Sequence, residues 1–432
     1  MKIAFYLNNE IYDSNRDFRN IMKGNPGIGG TEYMILLISY LLTIRDNGLE
    51  VRLYSSKEGL FHPAMNVVVN PNMQDAALQA SADGFVRFII DHKRVNWYNH
   101  PFQGLSPQMK IVPWCHCFTC TRHLHIMYSH PNMGRIVSVS KEQMDLMRDD
   151  RSFRISDYIY NTLCLDNKWI EKALQHPNSE REHIVVYMGS LVPLKSFHVL
   201  AEIWPLILQR VPDAELLIIG DGKVHGDNVQ LGEYGIAEES YEELFMRNLT
   251  KNGKILPSVH FMGALGEEKY DILIKAKVGV PNPTGMGETF CISAVEMQAM
   301  GCSVTAMRAP GYYDTIFNGF VVKNKQQLVD SIVRLLLQKA PKSYSDTLQY
   351  IQSNFSTEVI AKEWEILLKS NMEEHLHAIL PLENLSYRYK WLKELLRRMK
   401  KTFPILYHVR PTIESVYNKL TKNPYNKLIY AS

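Results

Sequence analysis

The sequence predicts an α/β protein with two parallel sheets, and three observations carry that prediction. Short β-branched or aliphatic runs alternate with longer helical patterns along almost the whole chain, as strands buried between covering helices require. The 432 residues, 46% hydrophobic and 22% charged, supply apolar mass for more than one core. The alternation breaks between Asn161 and Glu182, where charges and the turn cluster His176-Pro177-Asn178-Ser179 replace any strand pattern.

In chain order, strands are expected at Ile3–Leu7, Glu50–Tyr54, Phe85–Ile90, Lys110–Trp114 and Arg135–Val139. A largely buried helix is expected from Thr31 to Arg45. A second series runs through His183–Met188, Ala214–Ile219, Val259–Met262, Val278–Val280 and Ser303–Met307. The resulting division is an N-terminal domain over 1–165, a linker over 166–182, a second domain over 183–370 and a basic extension over 371–432.

Charge and composition exclude several classes. A net charge of +3 gives no footprint of a nucleic-acid binder, and no nucleic-acid partner is expected. The longest nearly apolar run, Tyr33–Ile44, is too short to cross a bilayer. The opening residues Met1–Leu7 lack a secretory signal pattern, and six cysteines without framework spacing suit a reducing compartment, so a cytoplasmic protein is expected.

The chemistry concentrates after one strand. Val278-Gly279-Val280 leads into the Pro/Gly loop Pro281–Phe290, which holds Glu288, and then into a helix carrying Glu296. Ligands of open parallel sheets settle beyond the carboxyl ends of strands. A helix starting near Phe290 would offer its amides and positive dipole end to a phosphate without any metal. For an isolated E-x7-E, the alternative is that Glu288 caps the helix and Glu296 lies on a solvated face.

The run Glu288–Gly301, ending in Ala299-Met300-Gly301 before Ser303-Val304-Thr305, resembles the E-x7-E segment of retaining GT-B glycosyltransferases of family 4. Other stretches resemble that family in the same order: Gly27-Ile28-Gly29-Gly30-Thr31-Glu32, Arg135–Ser140, Ile159-Tyr160-Asn161, Tyr187–Lys195, Pro212–Gly222 and Val259–Gly263. The resemblance spans residues 1 to about 370 and implies a GT-B fold, two Rossmann-like domains facing a cleft. It also implies transfer of a sugar from a nucleotide diphosphate sugar to a hydroxyl, with retention and with no metal or other cofactor.

By that resemblance Lys195 contacts the diphosphate, Glu288 the donor sugar and Glu296 the ribose hydroxyls. The amides of Thr289 and Phe290 hold sugar hydroxyls or phosphate, backbone groups at Met262 and Gly263 read the base, and Gly29 and Gly30 let the opposing loop approach the phosphates. His116 matches the family histidine that faces the donor sugar, with His100 as a competitor and a backbone-satisfied core histidine as the alternative. Ser190 stands where the family usually has arginine, so a bidentate guanidinium contact is lost; Arg308 and Lys254 are candidate substitutes, or the helix near Phe290 carries more of the load. Ser196 replaces the usual glycine after the lysine.

The crowded stretch Cys115-His116-Cys117-Phe118-Thr119-Cys120 lacks the separated ligand pairs of structural zinc sites, so no metal is expected there. Bacterial cell-surface glycans such as lipopolysaccharide or exopolysaccharide are the expected setting by family analogy, with a glycan or lipid-linked acceptor. Two other readings stay open: a catalytically weak subunit that binds nucleotide or glycan as a scaffold, and a GT-B sugar-nucleotide epimerase.

Residues 383–432 hold 11 Lys or Arg against 3 Glu, a charge of +8. Leu385, Tyr389, Leu392, Leu396 and Met399 fall on one helical stripe flanked by cations. Such a helix suits equally an anionic membrane surface, which would place the protein peripherally on the inner face of the cell membrane, and packing onto its own N-terminal domain.

Overall fold

Five of the six residues of the first strand are buried, because it lies inside a seven-stranded parallel sheet in the computed structural model of the chain. Its strands are β1 (Lys2–Leu7), β2 (Glu50–Ser55), β3 (Val67–Val69), β4 (Arg87–Asp91), β5 (Lys110–Cys115), β6 (Ile136–Ser138) and β7 (Ser156–Tyr158), in the order β3-β2-β1-β4-β5-β6-β7. Phe5 sits opposite Leu53 on one side and Ile89 on the other. The structure describes residues 1–177, 180–222, 230–372, 375, 382, 385–409 and 411–421.

The second sheet has six parallel strands: β8 (Glu182–Met188), β9 (Glu215–Ile219), β10 (Val259–Gly263), β11 (Ala276–Gly279), β12 (Ser303–Met307) and β13 (Gly319–Val322). Their order is β10-β9-β8-β11-β12-β13. Tyr187, Phe197, Trp204, Leu216 and Phe245 form its core with Ile332. Both sheets are Rossmann-like, and the α/β class follows directly.

Three strands absent from the sequence reading, β3, β7 and β13, each lie at the edge of a sheet. An edge strand pairs on one side only and need not show a continuous apolar run. Ser156-Asp157-Tyr158 is polar, and the residues of β13 are only half-buried.

The chain forms two compact units, Met1–Leu165 with Phe355–Ser432, and Asp166–Asn354. The second unit therefore ends before residue 370. The Trp364 ring meets Phe5 and Trp114 of the first core at centroid distances of 6.4 and 4.6 Å. The Phe355 carbonyl accepts from the Thr162 hydroxyl (2.9 Å) and the Leu163 amide (2.8 Å), and Arg45 grips Glu358 in a bidentate pair of 2.5 and 2.9 Å.

The expected linker 166–182 instead contains a helix, Asn167–Leu174, tied to the second unit by Lys168–Glu267 (2.7 Å) and Lys172–Asp271 (2.5 Å). Asn178 and Ser179 of the turn cluster lie outside the described residues, as do 383–384, 410 and 422–432 of the basic tail.

Candidate active site

In the second unit, the loops beyond the carboxyl ends of β8 and β11 meet at one ion pair. Lys195 Nζ lies 2.5 Å from Oε1 of the buried Glu288. Lys195 ends the 3-10 turn Pro193–Lys195, and Glu288 ends the Pro/Gly loop. The Tyr187 hydroxyl, buried beneath the first loop, donates to Ser190 O (3.0 Å) with Lys195 O 3.3 Å away, which fixes that loop's curvature.

Asn282 joins the two loops. Its Nδ2 lies within hydrogen-bond distance of Leu194 O (3.2 Å), Met286 O (3.0 Å) and Glu288 Oε1 (3.2 Å). Its own backbone is held by Tyr312, whose hydroxyl donates to Asn282 O (2.7 Å) and accepts from Asn282 N (3.2 Å). Sequence reasoning quoted Asn282 only as part of a loop; the signal was an amide side chain between two prolines that set the flanking backbone.

The helix after the loop runs Ile292–Ala299, so it starts two residues later than expected, and Thr289 and Phe290 form the bend before it. Both are buried. A Cβ on Gly311 would lie 2.8 Å from Phe290 N and 2.9 Å from Thr289 O. Only glycine there lets the following helix, Pro310–Thr315, pass beneath this bend.

Glu296 is not on a solvated face. It is nearly buried, and its Oε1 receives Lys269 Nζ (2.7 Å) and the Tyr270 hydroxyl (2.9 Å). Those two partners, at the start of the helix Lys269–Lys275, escaped the sequence reading because nothing local links them to a glutamate 26 residues away.

The stretch expected to read the base is shaped by glycine. Gly220 N donates to Gly263 O (2.8 Å), and a Cβ on Gly220 would collide with Gly189 O. Gly263 has φ +69° with open space around it, and Met262 beside it is exposed.

Ser196 adopts φ +54°, ψ 28°, the left-handed conformation that a glycine would occupy without strain. Its hydroxyl pairs with Thr284 Oγ1 at 2.7 Å, a compensating bond between the two loops.

Ser190 is half-buried at the loop entrance. Of the two substitute cations, Lys254 is excluded by topology: it sits in the hairpin Thr250–Lys251/Lys254–Ile255 that precedes the amino end of β10. Arg308 is exposed at the carboxyl end of β12, one residue past the Met307 N to Pro283 O hydrogen bond (2.8 Å), and so emerges beside the Glu288 loop.

Gly29, Gly30 and His116 belong to the first unit. Gly29 N donates to the Tyr12 hydroxyl (2.7 Å), and a Cβ there would collide with Glu32, whose Oε1 accepts from Arg94 (2.9 Å). Gly30, opening the helix Gly30–Ile44, has no atom within 4 Å of a notional Cβ. His116 follows β5 and packs against Trp114, ring centroids 4.4 Å apart and planes tilted by 46°. Burial, reinforced by His92, pushes its imidazole down to about 3 although Asn161 hydrogen-bonds it, so it is neutral at physiological pH. Cys115 and Cys291 are buried thiols pushed up by desolvation, Cys291 to about 12, and neither is a nucleophile.

Residues 182–338 match the family model described as "Glycosyl transferases group 1". The matched segment contains Lys195, Glu288, Glu296 and the whole loop cluster built above. A curated relative, an uncharacterized glycosyltransferase of Haemophilus influenzae, is 24% identical over 193 residues, 43% of this chain and 48% of the relative. The chain thus matches about half the length of that relative.

Two solved structures cover nearly their full length. HepE of Anabaena, in complex with UDP and glucose, has a TM-score of 0.57 at 16% identity, over 85% of this chain and 99% of that one. The lipopolysaccharide outer core galactosyltransferase WaaB, in its apo form, has a TM-score of 0.58 at 13% identity, over 85% and 99%. The chain shares their fold, GT-B, and the matched segment 182–338 lies within its second Rossmann-like unit.

Proposed function

We propose that the protein is a retaining glycosyltransferase that moves a hexosyl group from a nucleoside diphosphate sugar to a hydroxyl of a glycan or lipid-linked acceptor. The observation that carries this reading is the 2.5 Å Lys195–Glu288 pair at the mouth of the helix Ile292–Ala299. A departing diphosphate needs a fixed cation and preorganised amides, and this cluster offers both in a loop already rigid. Glu288 orients Lys195 and presents its other oxygen to sugar hydroxyls. Glu296 Oε2 accepts from the ribose, and the bend at Thr289 and Phe290 supplies amides. Neutralisation by lysine and amides requires no metal or other cofactor.

The Anabaena protein holds UDP and glucose, which favours a uridine diphosphate sugar as donor here. The galactosyltransferase neighbour favours a role in bacterial cell-surface glycan synthesis. Ser190 in place of a guanidinium supports a second reading, a nucleotide- or glycan-binding subunit of low activity.

One experiment separates them. The full chain is incubated with a panel of nucleoside diphosphate sugars, and released nucleoside diphosphate and the anomeric configuration of the product are followed. Slow hydrolysis or transfer of one donor, lost in Lys195→Ala, supports the transferase. Binding without turnover supports the weak subunit.

A further inference from the structure

The helix Lys390–Thr402 buries Lys390, Lys393 and Lys400 against the rest of its unit and exposes Trp391, Leu395 and Met399, while Leu392 and Leu396 are half-buried. Lys390 is buried against Glu142, with Asp145 Oδ2 3.5 Å away. Lys393, 0% exposed, donates to Leu146 O and Glu414 Oε2 at 3.0 Å each. Lys400 donates to Asp149 O at 2.7 Å. Hydrogen bonds from Arg397, Arg398 and Arg148 hold Glu394 down to about 2 against its desolvation. The expected stripe is also re-cut: Arg388 and Tyr389 are left-handed, so the helix begins at Lys390 and excludes Leu385 and Tyr389.

The opposite face carries Trp391, Leu395 and Met399, spaced i, i+4, i+8 and 53%, 48% and 45% exposed. Phe403 and Ile405 continue it at 62% and 69%. A helix docked only onto its own domain would bury these side chains and solvate its lysines. Here the lysines are matched by acids beneath them, so they serve as the docking face and leave an apolar face outward.

Charge around that face selects its occupant. Arg398, 75% exposed although its Nε pairs with Glu394 at 2.9 Å, and Lys401 are exposed on the same helix, and the acids of this region are already engaged with the buried lysines and with Arg148, Arg388, Arg397 and Arg398. Among the described residues no helix is long and apolar enough to cross a membrane. We propose that the Trp391–Ile405 face lies in the headgroup region of an anionic lipid bilayer, with Trp391 at the interface and Arg398 and Lys401 against lipid phosphates. The buried lysines play no part in lipid contact.

The test is flotation of the full chain with phosphatidylglycerol–phosphatidylcholine vesicles and with phosphatidylcholine vesicles. The wild-type protein should float with the former, less so at high salt, and little with the latter. The double variant Trp391→Ser, Leu395→Ser should keep the thermal midpoint and lose at least about tenfold in partitioning. Should that variant misfold, Arg398→Glu with Lys401→Glu should also lose anionic binding while remaining folded. Wild-type protein that stays unbound, or variants that float as it does, overturns the proposal. So does a wild-type dimer that the double variant makes monomeric without either floating, which would assign the face to a second copy. No sugar donor is used, so failure here is independent of the transferase reading.

Discussion

Lys195 and Glu288, 93 positions apart in sequence, are held at 2.5 Å with the carboxylate buried and the ammonium partly exposed. The pair is asymmetric: its cation reaches solvent, whereas its carboxylate is buried and also held by Asn282.

Removing either partner should therefore have different consequences. Lys195→Ala leaves a buried carboxylate with only Asn282 and should cost about 1–2 kcal/mol of stability, less than a fully buried pair because the lysine is partly solvated. It should also weaken nucleoside diphosphate binding far more than nucleoside binding. Glu288→Gln keeps the shape and the Asn282 contact and should abolish transfer with a thermal midpoint close to wild type. Calorimetry with both ligands and thermal melts check the two. Equal loss of nucleoside and nucleoside diphosphate binding in Lys195→Ala would move that lysine away from the phosphates.

The missing guanidinium at Ser190 gives a gain-of-function prediction. Ser190→Arg should tighten nucleoside diphosphate binding by about tenfold through a charge-assisted pair. Arg308→Ala should weaken it by a similar factor in the wild-type background and by less in Ser190→Arg. Titration of a nucleoside diphosphate against the four proteins of this cycle measures the coupling directly, and independent, additive effects would refute substitution of one cation by the other.

Ser196 separates backbone strain from hydrogen bonding. Ser196→Gly relieves about 1 kcal/mol of left-handed strain and loses a bond of similar worth, so it should be close to neutral. Ser196→Ala keeps the strain and loses the bond, and should be destabilised by about 1 kcal/mol. Urea midpoints should rank glycine above alanine; the reverse order would contradict the strain assignment.

His92 and His116 give the pH dependence. Burial is the largest cause, reinforced by Lys93 at His92 and by the neighbouring His92 ring at His116, and it depresses both folded values to about 3. The unfolded value is about 6.5. The unfolded chain therefore binds more protons below pH 6.5, and the stability contributed by the neutral imidazoles is complete above that pH and falls as the pH drops toward 3. Urea unfolding from pH 7 to pH 4.5 should show this loss, and His116→Asn should flatten it. An unchanged slope in the variant would mean that His116 titrates normally.

The strands flanked on both sides could be read from sequence because each is a continuous apolar run, as in Ile184-Val185-Val186-Tyr187. The loop and helix holding Glu288 and Glu296 were legible for the same reason: they follow such a strand. The partners of these carboxylates were not. Lys269 and Tyr270 reach Glu296 only through the packing of separate helices, and Asn282 acts through three acceptors that no spacing rule connects. Which side of the tail helix docks was not legible, since periodicity gives the width of an apolar face but not which side a neighbour's acids will attract, and Glu142, Asp145 and Asp149 lie some 250 residues upstream of the lysines they hold.

The return of the chain at Phe355 also sets an order of events during synthesis. Residues 166–354 form one uninterrupted stretch and can close their core as soon as they have left the ribosome. The first unit cannot: its sheet is made early, yet Phe5 and Trp114 wait for Trp364, and Glu142, Asp145 and Asp149 wait for lysines near the end of the chain. The unit that begins first is thus the one that finishes last, and until then it carries an open apolar seam and carboxylates that still lack their C-terminal lysines.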